Sequence, residues 1–234
     1  MSRIVTCSLR ISSVVYSHNV QLAIATQIFT AAGVLAVFVV NLLWTQRLVR
    51  SLHPRFGWHA MPSTILKILW PIIGLTLAAL ITATVQSFYT LRQRTHSIDR
   101  AVQLYGTTFL AVISFLPLPI LAIAFAVPRR QSHDKFGAGK LRTKVAVLIT
   151  GTVLVCFGAS YRAGTMWLTP IPMTQPLPAY YHKTAFYFVD FGVEIFTVFL
   201  YAIMRVDRRF HVPNGAKGPG SYSNSEILDE KTDV

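Results

Sequence analysis

The residues of this chain that could most clearly take part in chemistry are charged groups inside apolar stretches. Asp190 and Glu194 lie four residues apart in an apolar segment, so on a helix both carboxylates point to the same side. Tyr187, Thr197 and Tyr201 extend them, at spacings of three and four residues, into one polar stripe. A charge at mid-bilayer costs about 2.5–3.5 kcal/mol, so such groups need a partner or a function.

Arg162, near the end of the preceding apolar segment, is the predicted partner of this stripe. If consecutive segments run antiparallel, Arg162 lies at a depth similar to that of the carboxylates. We predict an ion pair between Arg162 and either Asp190 or Glu194, with the other carboxylate held protonated. Two interpretations stay open. The group either braces two neighbouring helices or lines a path for a substrate or for protons.

The recognisable motifs of soluble enzymes are missing from the sequence. It contains no HExxH, no GxSxG and no dinucleotide-binding fingerprint. The two cysteines, Cys7 and Cys156, lie in apolar surroundings, and the seven histidines are scattered. The sequence therefore predicts no catalytic residue, no metal site and no cofactor, and it predicts that the protein is not an enzyme.

The composition is typical of a membrane protein. Hydrophobic residues make up 53% of the chain and charged residues 13%, and the mean hydropathy is +0.48. Soluble proteins carry roughly 25% charged residues. The net charge of +13 would favour a nucleic-acid partner in a soluble protein, but here Lys and Arg fall in short loops between apolar runs. We therefore predict membrane lipid as a partner and no nucleic acid.

The apolar runs predict an all-α fold, a polytopic transmembrane helix bundle with five full spans and a partial N-terminal helix. The predicted spans cover about 20–44, 64–90, 101–127, 145–167 and 184–204. Pro117 and Pro119 predict a bend within the third span. These spans form a predicted transmembrane domain over residues 1–210. Residues 211–234, which are rich in Gly, Ser and acidic side chains, are predicted to be a disordered cytoplasmic tail.

The distribution of Lys and Arg orients the predicted bundle. Of the 22 basic residues, 14 fall in the loops after spans one and three and in the tail, against six on the opposite side. Because basic loops stay in the cytoplasm, we predict a multi-pass protein of the plasma membrane or an endomembrane with a cytoplasmic C-terminus. Arg205, Arg208 and Arg209 follow the last span and are predicted to anchor on anionic lipid head groups, at about 1 kcal/mol each.

Several segments resemble a fungal family of uncharacterised polytopic membrane proteins. The segments are Arg205–Tyr222, Arg3–Cys7, His18–Val20, Lys135–Gly137 and Tyr161–Thr165. Members of that family look like seven-span proteins of unknown function, distantly similar to aminocholesterol-resistance-type lipid exporters. The resemblance covers about Ile4 to Tyr222. It implies that this chain starts inside the family's second helix and is truncated at its N-terminus.

Two functions from different classes follow. The first is translocation of a lipid or amphipathic solute through the bundle, along a path lined by Arg162, Asp190 and Glu194. The alternative is a seven-span receptor-like or scaffold membrane protein without transport activity. A cavity that reaches Glu194 would favour translocation, and a closed bundle with an external pocket would favour the alternative. Neither the identity of the solute nor the oligomeric state follows from the sequence.

Overall fold

The described chain is all-helical, and the all-α prediction is confirmed. A computed structural model describes residues 2–16, 19–90, 92–128, 136–168, 187–212, 218 and 221–222, and no strand occurs in these ranges. The helices are α1 (Ser2–Val15), α2 (Val20–Leu52), α3 (Pro54–Gly57), α4 (Ala60–Tyr89), α5 (Gln93–Phe115), α6 (Pro117–Ala126), α7 (Leu141–Trp167), α8 (Val193–Ile203) and α9 (Val206–Arg209). A π-helical segment, Tyr187–Gly192, leads directly into α8.

Four helical stretches within the described ranges are long and apolar enough to cross a membrane. They are Val20–Leu52, Ser63–Tyr89, Gln93–Ala126 and Leu141–Trp167. The π-helical segment and the apolar helix α8 occupy the place of the fifth predicted span. Helix α1 has 14 residues, too few to span a bilayer, and corresponds to the predicted partial helix.

Local sequence explains where several of these helices begin and end. The Asn19 side chain accepts hydrogen bonds from the backbone N–H groups of Gln21 and Leu22, which caps α2. Pro54 follows α2 after a single residue, His53, and starts α3, where its missing N–H costs nothing. Pro117 in the same way ends α5 and starts α6, so the predicted bend in the third span is a break between two helices.

Short connections make the long helices alternate in direction. We call the end that carries the starts of α2 and α5 and the ends of α4 and α7 the upper end, and the opposite one the lower end. At the upper end Arg100 donates to the carbonyl of Leu168. At the lower end the His53 ring lies 2.7 Å from the carbonyl oxygen of Ala124. These contacts tie distant parts of the chain together at each end.

Large apolar side chains cover the outside of the bundle. Leu75 on α4, Ile123 on α6 and Ile203 on α8 expose 73%, 64% and 74% of their surface. Such exposure is unfavourable in water but expected where lipid tails are the solvent. The helices are therefore those of an integral membrane protein in contact with lipid.

The largest group of buried apolar residues lies at the lower end, and we call it the lower cluster. Its members are Leu48, Leu52, Leu121, Ala124, Phe136, Val147, Leu148, Val206, Phe210 and Tyr222. Tyr222 belongs to the predicted disordered tail, yet it is 2% exposed and its ring centroid lies 5.6 Å from that of Phe136. Most of the tail lies outside the described residues. The division into a helical domain and a disordered tail stays a prediction.

Candidate functional site

The polar stripe predicted on the last span forms the buried face of α8. Glu194 and Thr197 are 6% and 0% exposed. The Thr197 hydroxyl donates to the carbonyl of Val193, one turn earlier on the same helix. Tyr187 and Asp190 belong to the π-helical segment, but their side chains lie outside the described part of the structure. The predicted ion pair of Arg162 with a carboxylate therefore stays a prediction.

Tyr201 connects the stripe to α2. Its hydroxyl donates to Oδ1 of the buried Asn41 at 2.6 Å, and its ring packs edge-on against Trp44 at 4.9 Å. Both partners lie on α2, in the turns above the lower cluster. Tyr201 therefore fastens α8 to α2 through a hydrogen bond shielded from water.

Glycines let α7 approach the last span closely. A Cβ on Gly151 would collide with the hydroxyl of Tyr201, and a Cβ on Gly158 would lie 3.5 Å from the carbonyl oxygen of Val189. Both glycines are buried. In the seam between α7 and the last span, the α7 backbone at these glycines therefore packs directly against the Tyr201 side chain and the Val189 carbonyl. Other closely packed membrane helices use small residues in the same way.

The structure places Arg162 near the upper end of α7. It is half-buried on α7 and lines a cavity of about 560 Å³ among α1, α2, α4, α5 and α7. Glu194, Thr197 and Tyr201 are absent from the described lining. Both Arg162 and Glu194 do make contacts, so neither side chain is isolated. The structure thus places Arg162 at the cavity and Glu194 in the packed face of α8.

The cavity changes from polar to apolar along its length. Along α2 it runs from Gln27 to Phe38, eleven residues or about 16 Å. Polar lining residues lie mainly toward the upper end, together with Ile28, Phe88 and Met166, whereas the deepest described lining residues, such as Val34, Phe38 and Leu80, are apolar. The polar set comprises Arg10, Gln27, Thr30, Thr84, Ser87, Gln103, Thr107 and Arg162, and the apolar set Ile28, Ala31, Val34, Phe38, Leu80, Ile81, Phe88, Leu110, Ala159 and Met166.

Sequence reasoning missed most of this cavity. Arg10 interrupts an apolar segment too short to span, and only its packing beside α2 brings it to the lining. Gln103 and Thr107 are four residues apart on α5, and this spacing could have indicated a polar helix face from the sequence alone.

Asp99, outside the described lining, was also missed. It is 3% exposed, and its Oδ2 has no hydrogen-bond partner in the described ranges.

The predicted lipid anchors at the lower end have different surroundings. Arg205 and Arg208 are exposed, whereas the half-buried Arg209 donates from Nε to the carbonyl of Met204 at 2.7 Å. The carbonyl of Arg208 accepts from the N–H of Ala138 at 3.0 Å. Lipid anchoring by these arginines stays a prediction. The described contacts show that the segment also holds the loop before α7.

That loop is fastened from a second side by Lys144. Its ammonium group is buried, donates to the carbonyls of Phe136 and Gly137, and lies 4.2 Å from the centroid of the Phe136 ring. A buried cation next to two carbonyls and an aromatic face is stabilised by both. Phe136 in turn packs against Phe210, with ring centroids 6.2 Å apart.

Comparison with known proteins finds one family and no assigned activity. Residues 137–211, about one third of the chain, match the family model described as "Protein of unknown function (DUF3112)". The matched range begins at Gly137 in the loop before α7 and ends at His211 after α9. It contains the Tyr161–Thr165 segment and the start of the Arg205–Tyr222 segment of the predicted resemblance.

No curated protein and no solved structure matches the chain. The chain is therefore similar to a family of unknown function over α7, the π-helical segment, α8 and α9. The fungal origin, the seven spans and the likeness to lipid exporters stay predictions.

Proposed function

We propose that the protein is a multi-pass, non-enzymatic membrane protein that binds a lipid-like amphiphile in the cavity among α1, α2, α4, α5 and α7. The supporting observation is the cavity's own polarity, with polar side chains toward the upper end and Val34, Phe38 and Leu80 deeper in the bundle. Its volume of about 560 Å³ lies within the range of roughly 300–1,000 Å³ found for small-molecule sites. An amphiphile can place its head group against the polar side chains and its hydrocarbon part against the apolar ones.

The proposal includes an orientation with the lower end in the cytoplasm. The excess of Lys and Arg in the lower loops and tail supports it, since such residues stay on the cytoplasmic side. The cavity then lies in the outer half of the membrane. Its solute would enter from the outer leaflet or from outside.

The region between the cavity and the lower end bears on whether the protein transports its ligand or only binds it. The described lining does not include Glu194, and the lower cluster packs Phe136 and Phe210 between the helices at the opposite end. This arrangement favours the receptor-like alternative in the conformation described. Translocation would require a second conformation in which the lower end opens.

The binding proposal is tested by filling the cavity. Thr84→Phe places a ring in the lining, whereas Thr82→Phe adds the same ring to the exposed face of the same helix. The two threonines are a matched pair, because each hydroxyl donates to the carbonyl four residues earlier at 2.8 Å. We expect Thr84→Phe to weaken crosslinking of a photoactivatable single-chain lipid in nanodiscs about tenfold or more, since an occupied site excludes the ligand. Thr82→Phe should bind like the wild type.

Equal labelling of both variants would contradict the proposal. Labelling of the wild type with no peptide from α2, α4, α5 or α7 crosslinked would contradict it as well.

A flip assay in proteoliposomes then separates the two function classes. Flip of the bound lipid above the rate of empty vesicles, lost in Thr84→Phe, would support translocation. Binding without flip would support the receptor-like function. Glu194→Gln belongs in the same assay, because Glu194 was predicted to lie on the path and would affect flip only if the path reaches it.

A further inference from the structure

We propose that the acidic segment of residues 226–233 binds to a basic patch at the lower end of the same chain. This contact does not depend on the proposed function, because it involves a different surface from the cavity. The patch brings together the start of α7 and the residues around α9, and we call it the lower basic patch. Its members are Lys140, Arg142, Arg205, Arg208 and Arg209.

Direct contacts join the two segments of the lower basic patch. The N–H of Ala138 donates to the carbonyl of Arg208 at 3.0 Å. A Cβ on Gly139 would lie 2.5 Å from Nη1 of Arg209, so the Arg209 guanidinium group covers this glycine. Lys140 is the next residue along the chain. The cations of the two segments therefore belong to one continuous surface.

The charges of this patch are accessible. Arg209 is half-buried, and the other four cations are exposed. Within the described residues, no hydrogen bond or ion pair engages the side-chain charge of these four. Asp207, also exposed, is the carboxylate described on α9. Five cations beside one carboxylate repel each other, and an approaching acidic segment offsets that repulsion.

The chain carries an acidic segment of its own. Four of its nine acidic residues fall in the last nine positions, which contain a single basic residue, Lys231. The four are Glu226, Asp229, Glu230 and Asp233. The segment lies outside the described residues, and its charge follows from the sequence. That charge is complementary to the charge of the lower basic patch.

Tyr222 holds the chain close to the patch just before this segment begins. Its side chain is 2% exposed, and its ring centroid lies 5.6 Å from that of Phe136. Lys140 comes four residues after Phe136. Glu226 likewise comes four residues after Tyr222, a distance of at most about 14 Å, and Asp233 lies at most about 40 Å along the chain. A tether of this length gives the carboxylates an effective concentration on the order of millimolar at the patch.

The contact puts the acidic segment in competition with anionic lipid. Arg205, Arg208 and Arg209 are the predicted lipid anchors, and they belong to the same patch. Exposed ion pairs are individually weak and are screened over about 8 Å at physiological salt, so the bound and released states differ little in free energy. In a neutral bilayer the tethered carboxylates are the nearest anions, and they occupy the patch.

Crosslinking within the full-length protein tests the contact. In a background with Cys7→Ser and Cys156→Ser, Ala138→Cys reports the exposed loop of the patch and Leu228→Cys reports the acidic segment. Nanodiscs of neutral phosphatidylcholine that hold one protein each restrict a bis-maleimide to crosslinks within one chain. The initial crosslinking rate measures how often the segment lies on the patch.

Neutralising the acidic segment should slow this crosslinking. We expect Glu226→Gln, Asp229→Asn and Glu230→Gln together to lower the rate about fivefold or more, because several weak ion pairs are lost at once. Raising NaCl from about 0.05 M to about 0.5 M should lower the rate of the charged segment in the same direction, since salt screens exposed charges. The neutralised segment should respond to salt much less.

Neutralising the patch should have the same effect as neutralising the segment. Lys140→Gln with Arg142→Gln removes two exposed cations beside α9, and the rate should again fall about fivefold. Arg92→Gln with Arg94→Gln is the matched control, because it removes the same charge from exposed positions at the upper end. In this control the rate should stay within a factor of about two.

The proposal has clear contrary outcomes. A rate unchanged by the neutralised segment would overturn it, because Tyr222 alone would then hold the two thiols near each other. An equal fall in the upper-end control would overturn it as well, since net charge would be the cause. An unchanged rate combined with loss of bound phosphatidylserine in Lys140→Gln with Arg142→Gln would identify anionic lipid as the occupant instead.

Discussion

Gly137 has a backbone conformation and surroundings that limit what can replace it. Its φ of 51° lies in the left-handed region that favours glycine. A Cβ there would lie 2.5 Å from the carbonyl oxygen of Arg209 and 2.8 Å from that of Arg208. The glycine thus allows the loop before α7 to touch helix α9. The hydrogen bond from Ala138 to Arg208 depends on this approach.

Gly137→Ala should therefore destabilise the protein by about 2 kcal/mol or more, because a left-handed non-glycine residue costs about 1–2 kcal/mol before any clash is counted. In thermal unfolding the midpoint should fall by roughly 4–8 °C for a chain of this size. Gly164→Ala is the matched control. Gly164 is helical, and nothing lies within 4 Å of an added Cβ. Equal midpoints for the two variants would mean that the described contact of Gly137 with α9 is not stabilising.

Among the helices, the seam between α7 and the last span depends on two contacts that share one side chain. Gly151 leaves the space into which the Tyr201 hydroxyl projects, and Asn41 on α2 accepts the hydrogen bond from that hydroxyl. Three helices therefore meet at a single phenol group. The close approach and the hydrogen bond are coupled, since a change in one displaces the other.

Gly151→Ala should destabilise the protein by about 1–3 kcal/mol, because the added methyl group displaces Tyr201. Tyr201→Phe should cost about 1–2 kcal/mol, since the buried Asn41 loses its donor. The double variant should cost clearly less than the sum, because loss of the hydroxyl removes the closest contact with the new methyl group and leaves only the ring carbons, which lie 2.6 Å from it. Thermal unfolding of the four proteins in one detergent measures the coupling. Strict additivity would show that the two positions do not interact.

Hydropathy and proline positions were enough to predict the helices. They did not predict which helix faces pack against each other. The long apolar runs predicted α2, α4, α5, α6 and α7, because helices in lipid must satisfy their own backbone hydrogen bonds. Pro117 predicted the break in the third span for the same local reason. Glu194, Thr197 and Tyr201 lie at helical spacing on α8, and the role predicted for the stripe stays a prediction.

The cavity could not be predicted, because it depends on contacts between helices that are distant in the chain. Arg162 was singled out from its unusual place in an apolar segment, but its neighbours were sought on the next helix. The structure places it in one lining with Arg10, Gln27 and Gln103, from three other helices, and its predicted ion pair with a carboxylate of the next helix stays a prediction. No local pattern encodes which helices become neighbours. The left-handed conformation of Gly137 was missed for a related reason, since it is set by the partner segment near Arg209.

For the molecule as a whole, the charge asymmetry between the two ends is the feature that determines orientation. Fourteen basic residues belong to the lower loops and tail, and six to the upper side. The asymmetry acts during insertion into the membrane rather than on the packed bundle. It therefore makes a prediction about sidedness that is independent of the cavity and of any ligand.

Single cysteines at exposed positions test this orientation. After Cys7→Ser and Cys156→Ser remove the native thiols, Ser97→Cys reports the upper end and Asp207→Cys the lower end, and both positions are exposed. We expect a membrane-impermeant maleimide to label Ser97→Cys on intact cells or right-side-out vesicles, and Asp207→Cys only after permeabilisation. The reverse pattern would place the cavity in the cytoplasmic half and contradict the proposed route of the solute.

The lower cluster also has a consequence for the order of events during synthesis. Leu48, Leu52 and Leu121 leave the ribosome long before Phe210 and Tyr222, which complete their packing. Phe210 comes 89 positions after Leu121, and this stretch takes roughly 4–18 s to translate at about 5–20 residues per second. During that interval the early helices present an unfilled apolar surface at the lower end of the bundle. A nascent chain stalled before α9 would therefore keep the kind of exposed surface that chaperones and proteases recognise.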